Sequence, residues 1–245
     1  MPTYSRYVAL GDSMSLDDYP TGDVLNLRAI LPRQRLPIGA ASLLYQNHPR
    51  WPEFEGRDLL HRHLGVTYKN LSKEGATVAQ VSQEQLPQIG EMFSGAGLLL
   101  TLTVGGSDLL NALTAGAQNA EVAGTTGGIM AAYSRLVATL RRDWPGATIM
   151  LTTLYDITEG SGNLPRTSDF FGRLPVSLLE RLNDHIRRAA AETPGVLLAD
   201  LHRNLKGRGA DPAEIQQWYW RHSLVEPNAR GASDIRRVWL EALGM

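Results

Sequence analysis

The chain of 245 residues contains no cysteine. That absence excludes disulfide bonds, thiolate catalysis and cysteine-ligated zinc or iron–sulfur centres. It also lacks an excess of charge of either sign, with 24 Lys and Arg against 25 Asp and Glu. A basic footprint for nucleic acid or an anionic membrane surface is therefore missing. No window reaches the apolar length of a membrane span, and the start, MPTYSRYVAL, carries no apolar leader core. The expectation is a cytoplasmic protein with a small-molecule partner, without nucleic acid or membrane. No group of His and carboxylate residues has ligand spacing, so neither a metal nor another cofactor is expected.

What is present is an ordinary globular balance of 43% hydrophobic and 20% charged residues. Continuous apolar runs bounded by turn residues recur at YVALGD (7–12), VTYKNLS (66–72), GLLLTLTVGG (97–106), ATIMLTTLYD (147–156) and GVLLAD (195–200). Continuous rather than alternating runs suit parallel strands buried on both faces. Between them, Ile129, Met130, Tyr133, Leu136, Val137 and Leu140 have helical spacing, as do Leu178, Leu179, Leu182 and Ile186. The alternation predicts an α/β three-layer sandwich: a mainly parallel five-stranded sheet over 7–10, 66–71, 97–104, 147–154 and 195–199, with helices on both faces.

One domain over 1–245 is expected, interrupted by an aperiodic loop insertion at about 19–58. That insertion holds Tyr19, Tyr45, Trp51 and Phe54 with Asp17, Asp18 and Glu53. Its aromatics suit either a ligand rim or an anchor for the loop. The run WYW (218–220) reads as the buried face of a short helix, and ASDIRRVWLEAL (232–243) as a last helix packed on the sheet.

Three strand ends carry groups with chemistry. VALGDSMSLDD (8–18) sets Asp12 and Ser13 just past the first strand. Either residue suits a helix cap, and Ser13 also suits a nucleophile presented at the sheet rim. NLSKEGATV (70–78) puts Gly75 after the second strand, and TVGGSDLL (103–110) puts Gly105, Gly106, Ser107 and Asp108 after the third. Glycines there serve tight turns, or aim backbone N–H groups at an oxyanion.

With these three blocks in order, the chain resembles the GDSL (SGNH) esterases and lipases, from GDSMS at 11 to EPNARG at 226. The resemblance implies the SGNH, flavodoxin-like sandwich and a serine esterase acting on a small ester, such as an acetylated sugar or short acyl ester. It makes Ser13 the nucleophile beside Asp12, and Ser13, Gly75 and Ser107 the oxyanion donors, with Gly106 and Asp108 at the substrate. Ser107 stands where the family has an asparagine. In the last block, SLVEPNARG (223–231), Ser223 stands at the aspartate position and Glu226 at the histidine position. The base is thus expected to be Glu226 or the nearby His222, with His202 a further candidate. The missing histidine leaves the alternative of a degenerate member that binds its ligand without turnover, and an acyltransferase is a further alternative because water and an acceptor alcohol use the same site.

Overall fold

The structure is a computed structural model that describes residues 3–29, 31–90, 95–114, 119–163, 174, 176–209 and 211–245. Its centre is a five-stranded sheet of β1 (Arg6–Gly11), β2 (Thr67–Asn70), β3 (Leu98–Thr103), β4 (Thr148–Thr152) and β5 (Val196–Ala199), in the order β2-β1-β3-β4-β5. Every neighbouring pair is parallel. Tyr7 to Leu10, Leu99, Leu100 and Ile149 to Leu151 are fully buried, which is why these runs are apolar without alternation. Each such Leu, Ile or Val contributes about 1.5–3 kcal/mol through burial. At one edge, β2 alternates exposed and half-buried residues, and at the other β5 is mostly half-buried.

The helices are α1 (Asp18–Leu25), α2 (Ala40–Tyr45), α3 (Leu59–Arg62), α4 (Val78–Gln80), α5 (Gly106–Thr114), α6 (Asn119–Asp143), α7 (Val176–Glu192), α8 (Leu201–Asn204), α9 (Pro212–Trp218) and α10 (Ala229–Ala242). One layer is built around α10, which packs on α1, α2, α8 and α9. In the other, α4 and α5 pack on α6, which pairs with α7. The result is the three-layer α/β sandwich that the alternation of runs implies.

The chain order of the strands places a crossover reversal between β1 and β3. From β1 the chain moves outward to β2, then returns across β1 to β3. In open α/β sheets the loops at such a reversal diverge and leave a crevice beyond the carboxyl ends of the strands. Asp12 and Ser13 follow β1 there, and Gly106 and Ser107 follow β3.

Two sequence expectations are corrected. The 19–58 stretch is not a plain loop: it contains α1 and α2 and two short 3-10 turns. These segments are too short for helical periodicity to register. Asp17 holds them together by accepting from the Gly39 N–H (2.6 Å) and the Ser42 hydroxyl (2.9 Å). Trp51 and Phe54 are buried and lie beside the guanidinium of Arg236, which sits 3.6 Å from the centre of the Phe54 ring. Tyr45 stacks on Tyr68. Three of the four aromatics therefore anchor the insertion.

The run WYW is likewise not one helical face. Trp218 ends α9, whereas Tyr219–Trp220 form strand β6, paired antiparallel with β7 (Ser223–Pro227) in a small hairpin. All three aromatics are buried, as expected. The hairpin is followed by α10, whose cap is the Asn228 side chain accepting from the Gly231 N–H at 2.9 Å. Gly231 is needed because a Cβ there would lie 2.1 Å from the Trp218 carbonyl oxygen. At its other end α10 is tied to β4 by the Trp239 indole N–H, which donates to Thr152 Oγ1 at 3.0 Å.

Candidate active site

The end of β1 is held by a side chain from another layer. The buried Gln85 amide accepts from the Gly11 N–H (2.7 Å) and donates to the Gly11 carbonyl (2.8 Å). Gln85 lies where the helix after α4 widens into a π-helical turn over Val81–Gln85, a distortion that re-aims side chains. Gly11 itself has φ +119°, and a Cβ on it would lie 1.8 Å from the Thr103 carbonyl oxygen. Only glycine lets β1 and β3 stay paired while the chain turns out over the sheet edge.

Beyond that turn the two sequence readings of Asp12 and Ser13 separate. Asp12 is the cap: its carboxylate accepts from the Met14 N–H at 3.2 Å at the start of a 3-10 turn, Ser13–Ser15. Ser13 is the first residue of the turn and is left facing a cavity. The turn is pinned from below by Ser15 Oγ to Thr103 Oγ1 (3.0 Å) and by Asn70 Nδ2, which donates to the Ser15 carbonyl (3.1 Å).

Glu226 approaches from β7. Its side chain lines the same cavity as Ser13, and Glu226 Oε2 is buried without a hydrogen-bond partner. Burial is the main cause that pushes the Glu226 pKa up to about 8, and the Asp12 and Glu74 charges add to it, while the nearby Ser13 hydroxyl favours the ionised form. The Asp12 carboxyl is likewise raised by burial, to about 7. The β7 backbone is fixed over the site by the Tyr155 hydroxyl, which donates to the Val225 carbonyl at 2.5 Å. Tyr155 is placed in turn by Asn183 of α7, which clamps the Leu154 peptide with two bonds of 2.7 and 2.8 Å.

These groups line a cavity of about 100 Å³. Its polar wall is Asp12, Ser13, Ser107 and Glu226; Leu109, Leu154, Ile157 and Leu179 supply much of the apolar wall. Gly106 and Ser107 begin α5, and the Leu109 N–H is the one that returns to the Gly105 carbonyl (3.1 Å). The N–H groups before it belong to the set that a helix start leaves without intrahelical partners. Asp108 points elsewhere: its carboxylate accepts from the Val78 N–H at 3.0 Å and so joins the start of α4 to α5. Gly75 is exposed, with φ +66°, and does not line the cavity.

His222 and His202 lie apart from this cavity. His222 sits in a neighbouring polar cleft, edge-on to the Trp220 ring at 5.0 Å. His202 follows β5 and stands 3.3 Å from Arg187, within the Asp200 ion-pair group. Glu226 is the one of the three base candidates whose side chain meets Ser13.

A profile of the GDSL-like lipase/acylhydrolase family matches residues 9–233. The chain belongs to the GDSL-like lipase/acylhydrolase family. Membership places this GDSL-family chain among ester-bond hydrolases. No curated protein matches its sequence. Among solved structures, phospholipase A1 from Streptomyces albidoflavus NA297 is similar at 17% identity and TM-score 0.60, over 98% of this chain and 100% of that one. An acetyl-xylooligosaccharide esterase variant from Geobacillus aligns over 100% of this chain and 96% of its own, at 16% identity and TM-score 0.60. An extracellular lipase from Streptomyces rimosus gives 17% identity and TM-score 0.56, over 97% and 99%. At such identities the likeness is one of fold.

Gln85 and Asn183 were not singled out in the GDSL-family sequence, although a signal for them exists. Gln85 shares a helical stripe with Val78, Val81 and Ile89, and Asn183 one with Leu179, Ile186 and Ala190. A polar residue on an apolar stripe must be hydrogen-bonded once buried, and both clamp a strand-end peptide beside the cavity.

Proposed function

We propose that this GDSL-family hydrolase cleaves a short acyl group from a small ester, with Ser13 as nucleophile and Glu226 as its base. The observation that carries the reading is that Ser13 and a buried glutamate of raised pKa line one small cavity with an apolar wall. An ordinary glutamate, with pKa about 4.3, is a poor acceptor for an alcohol proton. A base whose pKa is about 8 is well matched to work near neutrality.

In this reading Glu226 takes the Ser13 proton as Oγ bonds to the ester carbonyl carbon. The oxyanion is met by the Ser13 N–H and by the free N–H groups of Gly106 and Ser107 at the start of α5, with the Ser107 hydroxyl beside them. Gly75, being exposed, has a lesser part unless its loop closes on the substrate. Collapse breaks the bond to the alcohol oxygen, and the proton on Glu226 goes to that leaving oxygen. Water then attacks the acyl-serine by the same route, with Glu226 again accepting the proton. Asp12 acts on this cycle through its charge, which raises the Glu226 pKa. The small apolar cavity suits a short acyl chain.

Hydrolysis of p-nitrophenyl acetate by the purified protein tests the reading. Turnover that disappears in Ser13→Ala, with the circular dichroism spectrum unchanged, is the expected result. Equal turnover in the alanine variant contradicts it, and no turnover in either protein favours a ligand-binding role.

A further inference from the structure

Next to the Ser13 cavity lies a second, larger and polar cleft of about 800 Å³. Strand β7 contributes to both, Glu226 to the cavity and Ser223 to the cleft. Tyr19 and Glu74 line the cleft, the Tyr19 hydroxyl donates to the Glu74 carboxylate, and both act electrostatically with Glu226. Arg28, Arg221, His222 and Trp220 line the cleft as well. Arg28 and Arg221 are exposed, and both press on His222, keeping its pKa below the usual value together with the larger effect of burial. Among the described residues neither arginine has an ion-pair partner, whereas Arg35 in the same cleft is held by Asp18 at 2.8 Å. The cleft thus carries positive charge on Arg28 and Arg221.

An ester has two halves, and attack at its carbonyl sends them in different directions from the nucleophile. Half of the residues that line the 100 Å³ cavity are Leu, Ile or Val, and among the described residues none of them is a cation. It suits the acyl half. The alcohol half must then leave past Glu226, the group that hands it a proton. Building on the proposed esterase activity, we infer that the Arg28–Arg221 cleft receives the alcohol half of the ester, and that this half carries an anionic group, a carboxylate or phosphate. Arginine forks fit both oxyanions with paired hydrogen bonds.

The test compares 4-acetoxybenzoate, whose leaving phenol bears a carboxylate, with methyl 4-acetoxybenzoate, each kcat/KM being divided by the hydroxide-catalysed rate. The expected result is a preference for the anion of about tenfold, the order of one charge-assisted contact. The preference should weaken with added salt and fall toward one in the double variant Arg28→Gln, Arg221→Gln. A ratio at or below one in the wild-type protein, or a ratio the double variant leaves unchanged, overturns the inference. If neither ester is cleaved, the esterase reading is what has failed. Calorimetric binding of 4-hydroxybenzoate against 4-hydroxybenzamide then decides the cleft on its own. Binding of the anion alone, lost in the double variant, supports it, and equal or absent binding overturns it.

Discussion

Ser13, just past the end of the first strand, and Glu226, on the last strand, line one cavity from opposite ends of the chain. The carboxylate is in place because the Tyr155 hydroxyl and the Asn228 cap hold the two sides of its strand. Several consequences can be measured.

The pH dependence of activity should report Glu226. A general base works only when deprotonated, so kcat/KM is expected to rise with pH and level off above an apparent pKa near 8. A profile that levels off near about 6.5, the ordinary histidine value, would point to a different base.

Asp12→Asn should move that profile to lower pH. Removing a negative charge beside Glu226 makes its ionised form easier to reach, while asparagine still caps the Ser13–Ser15 turn. The check is the fitted pKa of kcat/KM; an unchanged or higher value contradicts the coupling.

Glu226 should also destabilise the fold as pH rises. Its folded pKa, about 8, lies above the ordinary glutamate value of 4.5, so the folded state holds the proton more tightly than the unfolded one. Stability from this group is complete at low pH, falls between those two values, and is lost above the higher one. Glu226→Gln is therefore expected to raise stability by roughly 1–2 kcal/mol at pH 8 and by little at pH 5, as read from urea midpoints.

Gln85→Ala should be costly although it touches no substrate. The variant loses two buried bonds to Gly11 and leaves its N–H unpaired, whereas the Gly11 carbonyl keeps the bond from the Lys73 N–H at 3.0 Å. We expect about 2–4 kcal/mol of destabilisation and a lower kcat, with Gln85→Glu rescuing only the bond that needs an acceptor. Chemical denaturation and kinetics check both.

Much of the fold is legible in the sequence because three central strands are buried on both faces and must be apolar throughout. The same burial hides less regular elements. A two-residue strand such as Tyr219–Trp220 has no period to detect, and α2, with six residues, has less than two turns. Ser13 can be placed because its strand and its glycine precede it directly. Glu226 can be located only from the Pro227, Asn228 and Gly231 frame, which the structure explains as the cap and close packing of α10. Its raised pKa is not readable in the chain at all, since it arises from Asp12, Glu74 and the burial that distant segments impose.

The most direct test of Ser13 and Glu226 as nucleophile and base is covalent labelling with a fluorophosphonate probe, followed by mass spectrometry of the intact chain and of its peptides. The account predicts one label per chain, on Ser13, with the rate reduced roughly 100-fold or more in Glu226→Gln and little changed in His222→Ala. No label on Ser13, or a rate that survives in Glu226→Gln and falls in His222→Ala, would contradict it.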